Sequence, residues 1–556
     1  MKKFLATVCT LLLAVGVLAG CGGAGGGETK PQGGESTGKT FTIGLQQNTL
    51  VEDYDNNGFT NYIKEVSGSD IEFIYFASNS NDAKSQLSTR IAGGEALPDI
   101  LWGFELGTEV YTEYGRDGYL VDMKDYFFNE DGSHNDKAKN FWDMLESGPY
   151  SADQQATAIR RMTDQGTGAM YVLPRLEESP VDTMDYCPYI NVKWLDKLGL
   201  QMPTNADELY NVLKAFKEQD PNGNGRADEI PLTGANSSIN GMIVEWIINM
   251  FTYYNSHYLF SVDDNGKLFL PQLTPEFREG LKFINKLYEE GLMYSGSLTA
   301  GRAELTAINT PADGTALAGI FVGHLTLHVE IDNEVLYDYK PLPFWSNCIR
   351  KEEAYSLNTF ITSDCEDPEG AFEFLMNFYT KDAALRERYG EYGVDWVGAD
   401  EGSFSYIGKP AEIKVLNEGA FGAQTSTTWS KIACTILYDA EGEISQLDNS
   451  AGDWTLYKRE IFSDMVKNFK EWEAKTPAEK SCGVLVYSEE EKEETEMVRS
   501  NCGNKISTAI SSFIVGTTKG FDIENDADWA KFAQDLKDLE IDTYLELAQK
   551  VYDRQK

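Results

Sequence analysis

Three short runs rich in β-branched and aromatic residues follow one another early in the chain, with helical patterns between them. The runs are FTIGLQQ (41–47), IEFIYF (71–76) and PDILWG (98–103). A helical pattern covers Ala83 to Ile91, and this alternating order indicates a parallel sheet flanked by helices. In such a sheet the ligand crevice lies beyond the carboxyl ends of the strands. We therefore expect Asp99 and Trp102, in the third run, to lie near a ligand.

A second series of the same kind begins near Tyr171. It contains YVLPR, CPYINVKWLDKLGL, a helical pattern from about Asn205 to Lys217, EIPLTG and ALAGIFVG. A chain of 556 residues is too long for one hydrophobic core. The sequence thus predicts two α/β lobes, each built on a mostly parallel sheet flanked by helices.

The segment DPNGNGRADEIP (220–231) follows the second helical pattern and has nearly the spacing of a calcium loop. Side-chain oxygens stand at positions 1, 3, 5, 9 and 10, which are Asp220, Asn222, Asn224, Asp228 and Glu229. Calcium takes about six to eight oxygen ligands, and a glycine at position 6 lets the chain reverse. Position 12, where a bidentate Glu closes an EF-hand, is Pro231. The alternative to a metal site is a plain polar turn.

The chain begins with the pattern of a secretory signal. Lys2 and Lys3 precede an apolar run that ends in LAGC (18–21), which resembles the bacterial lipobox, whose cysteine is lipid-modified after cleavage. We expect a signal peptide over residues 1–20, a lipid at Cys21 and a flexible Gly-rich tether over residues 21–40. The apolar run is too short to span a membrane, so membrane contact would be through the lipid anchor only. A plain secreted protein is the alternative.

A formal net charge of −41 restricts the possible partners. It argues against nucleic acid and against docking onto anionic lipid, since both would be repelled. Of the eight cysteines, six lie in the body, where they form no CxxC pair, so we expect mostly free thiols and no zinc. His324 and His328, in GHLTLHVE, lack the pattern of a third zinc ligand.

With these elements placed, the chain resembles the extracellular solute-binding proteins that deliver sugars to ABC importers, above all the calcium-loop branch that includes the alginate-binding proteins. The resemblance covers about residues 40–556 and is most specific in NVKWLDKLGLQMPTNADELYNVLKAFKEQDPNGNGRADEIPLTG. GGEALPDILW, YVLPR and the lipobox agree with it. It implies a two-lobed periplasmic-binding-protein-like fold of type II, in which the lobes close over a ligand about a hinge.

The resemblance also implies where the chain passes between the lobes. Passages near Tyr171 and near 343–345 make lobe 1 of residues 41–170 and about 346–400, and lobe 2 of about 171–345 and 401–556. In family members with calcium, the metal ligands stand in the places of Asp220, Asn222, Asn224, the carbonyl of Arg226, Asp228 and Glu229. Such an ion would be structural, fixing a helix-to-strand corner.

Sugar sites commonly pair flat aromatic rings with polar side chains that satisfy the hydroxyls. Our candidates lie at a strand end, at the two passages and in TSTTWSK, and they are Asp99, Trp102, Tyr171, Trp345 and Trp429. Tyr171 and Trp429 rank highest, the latter because aromatics at this place in related sugar binders often face the cleft. The alternative for each ring is ordinary packing in a core.

These expectations combine into a lipid-anchored substrate-binding component of an ABC transporter on the extracellular face of a bacterial cell membrane. As a monomer it would capture oligosaccharides by hinge closure, deliver them to the permease subunits and perform no catalysis. A polysaccharide-active enzyme would need two positioned carboxylates, and the sequence has no GxSxG, HExxH or P-loop pattern. A transporter-independent surface binding protein and a peptide ligand are further alternatives.

Overall fold

The computed structural model describes most of the chain after the N-terminal segment. The described residues are 38–147, 150, 152–178, 187–236, 242–310, 313–323, 329, 333–342, 355–405, 408–417, 425–429, 436–438, 444–447, 457, 460–461, 464 and 480–555. Cys21, His324, His328 and Trp345 lie outside them. Within these ranges no helix combines the length and the apolar character needed to cross a membrane.

Strands are distributed along the whole of the described chain, with helices between many of them. The strands are β1 (Thr40–Gln46), β2 (Asp70–Phe76), β3 (Ile100–Trp102), β4 (Leu173–Glu178), β5 (Pro188–Asn191), β6 (Ile230–Thr233), β7 (Ser261–Val262), β8 (Leu268–Phe269), β9 (Ala318–Val322), β10 (Tyr339–Pro341), β11 (Tyr355–Ile361), β12 (Trp396–Gly398), β13 (Ile413–Val415) and β14 (Ile436–Tyr438). The three runs predicted as strands near the start of the chain are confirmed as β1, β2 and β3.

The helices cover the sheets and join their strands. They are α1 (Gly58–Ser67), α2 (Ser80–Ala92), α3 (Thr108–Arg116), α4 (Lys124–Phe127), α5 (Lys139–Ser147), α6 (Ala152–Met162), α7 (Val192–Leu198), α8 (Ala206–Glu218), α9 (Ile243–Ile248), α10 (Pro275–Glu289), α11 (Arg302–Asn309), α12 (Pro368–Met376), α13 (Lys381–Tyr389), α14 (Glu489–Val515), α15 (Asp526–Asp538) and α16 (Ile541–Gln555). Short 3₁₀ helices cover Asp136–Ala138, Pro271–Leu273 and Glu334–Asp338.

In helix α8, the local sequence determines where the helix begins and which face it buries. The side-chain oxygen of Asn205 accepts a hydrogen bond from the backbone N–H of Glu208, which satisfies one of the free donors at the helix start. Leu209, Leu213 and Phe216 recur at helical spacing and are fully buried. The predicted helix is therefore confirmed, with its apolar stripe against the core of lobe 2.

Lobe 1 is built on a six-stranded sheet of order β14-β4-β11-β3-β1-β2. β1 pairs in parallel with β2 and β3, and β14 pairs in parallel with β4. β11, which follows lobe 2 in the chain, is inserted antiparallel between β3 and β4. The sheet thus confirms the predicted α/β class and is mostly parallel, as expected.

Lobe 2 is built on a four-stranded sheet of order β10-β5-β9-β6. Among the described strand pairings of this sheet, only that of β6 with β9 is parallel, so the prediction of a mostly parallel sheet is wrong for this lobe. The physical reason is connectivity. β6, β9 and β10 run in the same direction, but β5, by which the chain enters lobe 2, is inserted between β9 and β10 and runs opposite to both.

Two hydrophobic cores show where the chain changes lobe. Leu176 belongs to the core of lobe 1 and Cys187 to the core of lobe 2. The predicted passage near Tyr171 is therefore too early, because β4 still hydrogen-bonds to β11 in the lobe 1 sheet. The return passage follows Leu342 and precedes Phe360, the next described residue of the lobe 1 core.

The boundary predicted after residue 400 is also wrong. Trp429 lies in the core of lobe 1, and β14 joins the lobe 1 sheet. The backbone explains this, since Val51 and Thr425 form a β-bridge and bring the segment 425–429 onto lobe 1. Tyr457 packs in the core of lobe 2, so the chain passes between the lobes a third time.

Candidate functional site

A cavity of about 400 Å³ lies at the carboxyl ends of the lobe 1 strands. We name it the lobe 1 cavity. β1 contributes Gln46, Ser78 follows β2 and Glu105 follows β3, while β4 and β11 contribute Arg175 and Asn358. The crevice outside the carboxyl ends of parallel strands is where ligands bind in open α/β sheets. The lobe 1 cavity is therefore the candidate binding site.

Hydrogen bonds fix the side-chain amides of Gln46 and Asn48, which lie at and just after the carboxyl end of β1. Nε2 of Gln46 donates to the carbonyl of Ser78 at 2.9 Å and to the hydroxyl of Ser80 at 3.0 Å. Oδ1 of Asn48 accepts from the backbone N–H of Leu50 at 2.9 Å. Both amides keep further donor or acceptor capacity toward the cavity.

The opposite wall of the lobe 1 cavity comes from β4 and β11. Nη2 of Arg175 donates to the hydroxyl of Ser356 at 3.4 Å. Asn358 is buried, and its carbonyl accepts from the backbone N–H of Phe104 at 2.7 Å, which ties β11 to the end of β3. With the exposed carboxylate of Glu105, the wall offers both donors and acceptors to hydroxyl groups.

Asp99 lies at the opposite end of β3 from the cavity. It precedes Ile100, and its Oδ2 accepts from both the backbone N–H and the hydroxyl of Thr42, each at 2.7 Å. These bonds hold β1 against β3 at their amino ends. The expectation that Asp99 lies beside the ligand is therefore wrong, because the amino end of a strand faces away from the crevice.

Trp102 and Trp429 pack against each other inside lobe 1. Both side chains are 0% exposed, and their ring centroids are 5.3 Å apart. Trp429 also meets Phe59 and Phe73 edge-on, each at 5.5 Å. A ring without exposed surface has no face to stack on a sugar. In this structure the prediction that these two rings form the site is wrong, since the aromatic core surrounds them.

Tyr171 is a packing residue as well. Its ring covers Gly115 of α3 so closely that a Cβ on the glycine would come within 2.4 Å of it. Only 7% of Tyr171 is exposed. The expectation that Tyr171 contacts ligand at a passage between the lobes is wrong, because it precedes β4 within the lobe 1 core. Trp345, outside the described residues, stays a prediction.

The residues that do line the lobe 1 cavity carry a signal in the sequence. Gln46 and Gln47 close the apolar run FTIGLQQ, and Arg175 closes YVLPR. Polar side chains directly after a buried strand of a parallel sheet are placed at the ligand crevice by the topology. This positional signal identifies the site better than aromatic content does, because large rings serve packing in every core.

Two further cavities lie on either side of the segment Val484–Tyr487. The interlobe cavity, about 530 Å³, is bounded by the start of α3 and the end of α6 from lobe 1 and by the start of α14. The lobe 2 cavity, about 610 Å³, is bounded by lobe 2 and by the middle of α14. Both are lined by Val484, Leu485, Tyr487 and Arg499.

Asp164 lies at the rim of the interlobe cavity in a two-point ion pair with Arg116. Nε and Nη2 of Arg116 donate to its carboxylate at 2.8 Å and 2.5 Å. The backbone N–H of Gly166 and the hydroxyl of Thr167 add bonds of 2.9 Å and 2.8 Å. Burial opposes ionisation of Asp164, but these donors outweigh it and lower the pKa to about 2.

The loop after α8 brings several oxygen-bearing side chains together. Nδ2 of Asn224 and Nδ2 of Asn222 donate to Oδ1 of Asp228 at 3.0 Å and 3.2 Å. Oε1 of Glu229 is buried and has no hydrogen-bond partner. Burial first, and then the carboxylates of Asp220 and Asp228, raise the pKa of Glu229. The loop therefore holds a desolvated carboxylate next to two others.

This donor set fits a hard cation in chemical type. A buried acceptor beside like charges is stabilised by a positive ion, and calcium prefers carboxylate, amide and carbonyl oxygens. In the part of the chain that the structure describes, no three His, Cys, Asp or Glu side chains by themselves form a group that could hold a metal. Oxygens of Asn222, Asn224 and the Arg226 carbonyl would therefore have to complete the coordination.

The two lobes and the crevice at the carboxyl edge of lobe 1 define a binding protein of the hinged, two-lobed class. Residues 50–385 match the sequence profile of the bacterial extracellular solute-binding proteins. The chain belongs to this family.

Two curated relatives align over short stretches. The fructooligosaccharide ABC transporter substrate-binding protein FusA of Streptococcus pneumoniae is 36% identical over 131 residues, which is 23% of this chain and 24% of that one. Lipoprotein LipO of Bacillus subtilis is 33% identical over 161 residues, 28% of this chain and 30% of that one. The alignments thus span less than a third of either relative.

A solved structure shows the likeness over nearly the whole chain. It is the substrate-binding protein FusA of S. pneumoniae in complex with kestose, with a TM-score of 0.67 and 20% identity. The comparison covers 93% of this chain and 99% of that one. At this identity the likeness establishes the fold, which agrees with the two-lobed architecture expected from the sequence.

Proposed function

We propose that the chain is the substrate-binding component of an ABC transporter and captures oligosaccharides by closing its lobes over them. The observation that carries the proposal is the lobe 1 cavity, a polar crevice at the carboxyl ends of the strands in a member of the solute-binding family. Sugar is favoured over other solutes because the wall side chains can both donate to and accept from hydroxyls. The similar protein FusA is named as the substrate-binding protein of a fructooligosaccharide ABC transporter, which also supports a sugar ligand.

Each wall residue has a role in this proposal. Asn48 and Asn358 present amides, which can bond to a hydroxyl as donor or acceptor. Gln46, whose amide nitrogen already donates to Ser78 and Ser80, would accept from a hydroxyl through its side-chain oxygen. Arg175 would donate to ring or hydroxyl oxygens, and Glu105 would accept from hydroxyls. Hydrogen bonds to charged groups contribute about 1.5–3 kcal/mol each, more than neutral ones, so these two residues should decide most of the affinity.

Calorimetric titration of the full chain with kestose, trigalacturonate and a tripeptide tests the proposal. Glu105→Ala should weaken sugar binding roughly tenfold to a hundredfold, because it removes one charged hydrogen bond. Glu113→Ala is the matched control, since Glu113 is exposed on α3 outside the lobe 1 cavity. It should bind like the wild type. A protein that binds neither sugar, or only the tripeptide, contradicts the proposal.

We further propose that the bound sugar is not cleaved. Among the residues that the structure describes, the wall of the lobe 1 cavity contains one carboxylate, Glu105, whereas hydrolysis of a glycosidic bond uses a pair of them flanking the bond. Sugar recovered from the complex after long incubation should be intact by mass spectrometry. Shortened sugars would establish the alternative, a polysaccharide-active enzyme.

The loop after α8 is proposed to hold a structural calcium ion. Asp220, Asn222, Asn224, the carbonyl of Arg226, Asp228 and Glu229 would supply its oxygen ligands. The support is the buried, unpartnered Oε1 of Glu229 beside two other carboxylates. Bound calcium supplies positive charge that offsets their repulsion, and it ties the end of α8 to the start of β6.

Lipid modification of Cys21 is proposed to keep the protein at the outer face of the cell membrane. The support is the LAGC pattern and the tether that follows it, together with the similarity to lipoprotein LipO. A tether of this length reaches roughly 25 Å. The captured sugar would then be released close to permease subunits of the transporter.

A further inference from the structure

Two asparagine–glycine pairs follow one another in the loop after α8, Asn222–Gly223 and Asn224–Gly225. We propose that the loop is a site of self-modification, at which both asparagines convert to aspartate or isoaspartate and lose their side-chain nitrogen as ammonia. The reaction needs only the atoms of the loop and water, and it does not depend on sugar binding. Its control by calcium rests on the calcium ion proposed above for the same loop.

The reaction takes place between an asparagine side chain and the backbone nitrogen of the next residue. This nitrogen attacks the side-chain carbon Cγ and forms a bond to it. The bond from Cγ to Nδ2 breaks, and Nδ2 leaves as ammonia with the proton that the attacking nitrogen loses. Water then opens the resulting succinimide ring at one of its two carbonyl carbons, which gives aspartate or isoaspartate. A following glycine favours the attack, because it has no Cβ to crowd the nitrogen.

Both asparagine side chains are turned toward the peptide nitrogen that would attack them. Oδ1 of Asn222 accepts from the backbone N–H of Asn224 at 3.0 Å, and Oδ1 of Asn224 accepts from that of Arg226 at 2.7 Å. Such an Asx turn closes a small ring of atoms that contains both Cγ and the nitrogen of the following glycine. The donated hydrogen bond also stabilises the negative charge that develops on Oδ1 during the attack.

Asp220 contacts the attacking nitrogen of both pairs. Its Oδ1 accepts from the backbone N–H of Gly223 at 2.9 Å, and its Oδ2 accepts from that of Gly225 at 3.2 Å. The N–H of Gly223 also reaches the backbone carbonyl of Asp220 at 3.2 Å. A carboxylate in hydrogen-bond contact with a nucleophile can take up its proton as the new bond forms. The carboxylate of Asp220 is therefore placed to act as the base for both asparagines.

The amide nitrogens that would leave are held as well. Nδ2 of Asn224 donates to Oδ1 and Oδ2 of Asp228 at 3.0 Å and 3.3 Å, and Nδ2 of Asn222 donates to Oδ1 at 3.2 Å. These bonds keep each side chain in one orientation. Asn224 is exposed and Asn222 is half-buried, so water can enter and ammonia can leave.

The hairpin between β7 and β8 contains an asparagine–glycine pair without these contacts. Asn265 is exposed, but the N–H of Gly266 donates to the backbone carbonyl of Asp263 at 2.9 Å rather than to a carboxylate. The N–H of Lys267 donates to Oδ1 of Asp263 at 2.8 Å, so it is not available to Oδ1 of Asn265. Asn265 thus provides a reference for an exposed pair within the same chain.

A pair at the start of α1 provides the opposite reference. Oδ1 of Asn57 accepts from the backbone N–H of Phe59 at 2.9 Å, which is again an Asx turn. However, Asn57 is 0% exposed, and the N–H of Gly58 donates to the backbone carbonyl of Ser426 at 2.8 Å. Without water and without a base, Asn57 should convert most slowly.

Conversion would change how the loop binds calcium. Aspartate at position 222 or 224 adds a carboxylate to the loop, and calcium affinity depends on the number of charged ligands. Isoaspartate instead lengthens the backbone by one atom and displaces the ligands that follow. Bound calcium would in turn engage the side-chain oxygens of Asn222 and Asn224 and the carboxylate of Asp220. The loaded loop should therefore resist conversion.

The experiment incubates the full chain at neutral pH, in chelator and in millimolar calcium, and follows each pair by peptide mass spectrometry. Each conversion replaces NH₂ by OH and adds about one dalton. In chelator, Asn222 and Asn224 should convert at least tenfold faster than Asn265, and Asn57 should be the slowest. Calcium should slow Asn222 and Asn224 at least tenfold and leave Asn265 unaffected.

Asp220→Asn removes the base and creates no new reactive pair, because Pro221 has no N–H. In chelator it should slow Asn222 and Asn224 to the rate of Asn265. Glu218→Gln, at an exposed site on α8 outside these contacts, is the control and should convert like the wild type.

The proposal is overturned if Asn222 and Asn224 of the wild type convert no faster than Asn265 in chelator. It is also overturned if Asp220→Asn, folded by circular dichroism, converts as fast as the wild type. Equal rates of Asn222 and Asn224 in chelator and in calcium contradict the calcium site alone, and the modification stands.

Discussion

Replacing Trp429 by alanine distinguishes a core role of this ring from the ligand-binding role expected from the sequence. The ring is 0% exposed and packs against Phe59, Phe73 and Trp102 in lobe 1. Its indole N–H donates to the hydroxyl of Thr60 at 2.9 Å. Because Trp429 is far from these residues in sequence, it attaches the segment 425–429 to the lobe 1 core.

The expected loss of unfolding free energy in each Trp429 variant follows from these contacts. Truncating a buried Trp to Ala costs about 3–5 kcal/mol, since both transfer free energy and packing are lost. Trp429→Phe keeps a ring and loses the hydrogen bond, and the Thr60 hydroxyl still donates to the carbonyl of Tyr54 at 2.6 Å. A net hydrogen bond is worth about 1 kcal/mol, so the Phe variant should cost considerably less than the Ala variant.

Urea unfolding followed by circular dichroism measures both variants, and calorimetry under native conditions measures sugar affinity of the folded fraction. We expect the unfolding free energy to fall in the order wild type, Phe, Ala, with affinity per folded molecule little changed. The reasoning is refuted if Trp429→Ala unfolds within about 1 kcal/mol of the wild type while its sugar affinity falls tenfold or more. That result would place the ring against the ligand.

Acid should lower the free energy of unfolding through Asp164, because the folded pKa of about 2 lies below the unfolded value. Ionised Asp164 therefore contributes about 2 kcal/mol of stability, which is complete above about pH 4 and is lost as the pH falls toward 2. Asp164→Asn should flatten that part of the stability curve, whereas Asp117→Asn, at an exposed site, should not. Millimolar calcium should raise the melting temperature, and Asp220→Ala should abolish the rise; a melting temperature insensitive to calcium and chelator leaves the polar turn. Cys21→Ser should release the protein from bacterial membranes into the medium, and continued tight retention would contradict lipidation there.

Local rules were sufficient to predict much of the secondary structure. The N-cap of α8 at Asn205 is an example, since its side chain accepts from the backbone N–H of Glu208, three residues along the chain. Such signals depend only on residues within one helical turn, and neighbours along the chain supply all the partners. The order of strand and helix patterns in the sequence likewise predicts the α/β class, which the lobe 1 sheet confirms.

The site was harder to predict because ring burial depends on distant partners. Nothing near Trp429 in sequence distinguishes a ring that faces ligand from one that faces Phe59 and Trp102, which lie several hundred residues earlier. The same holds for Asp99, whose role was decided by Thr42 on a neighbouring strand. Composition shows that aromatic and acidic side chains exist, whereas their function is decided by which face of which element they occupy.

Three neighbouring strands of the lobe 1 sheet, β4, β11 and β14, adjoin the passages between the lobes. The chain leaves lobe 1 from the carboxyl ends of β4 and β14 and returns to it at the amino end of β11. These three strand ends lie side by side, because β11 is antiparallel to β4 and β14 is parallel to it. The register pairs Leu176 with both Tyr355 and Ile436, so the three strands stand at the same level. Arg175 and Asn358 of the lobe 1 cavity belong to two of these strands. A ligand held by them therefore contacts the elements that continue into the hinge, so that binding energy can shift the balance between open and closed lobes directly.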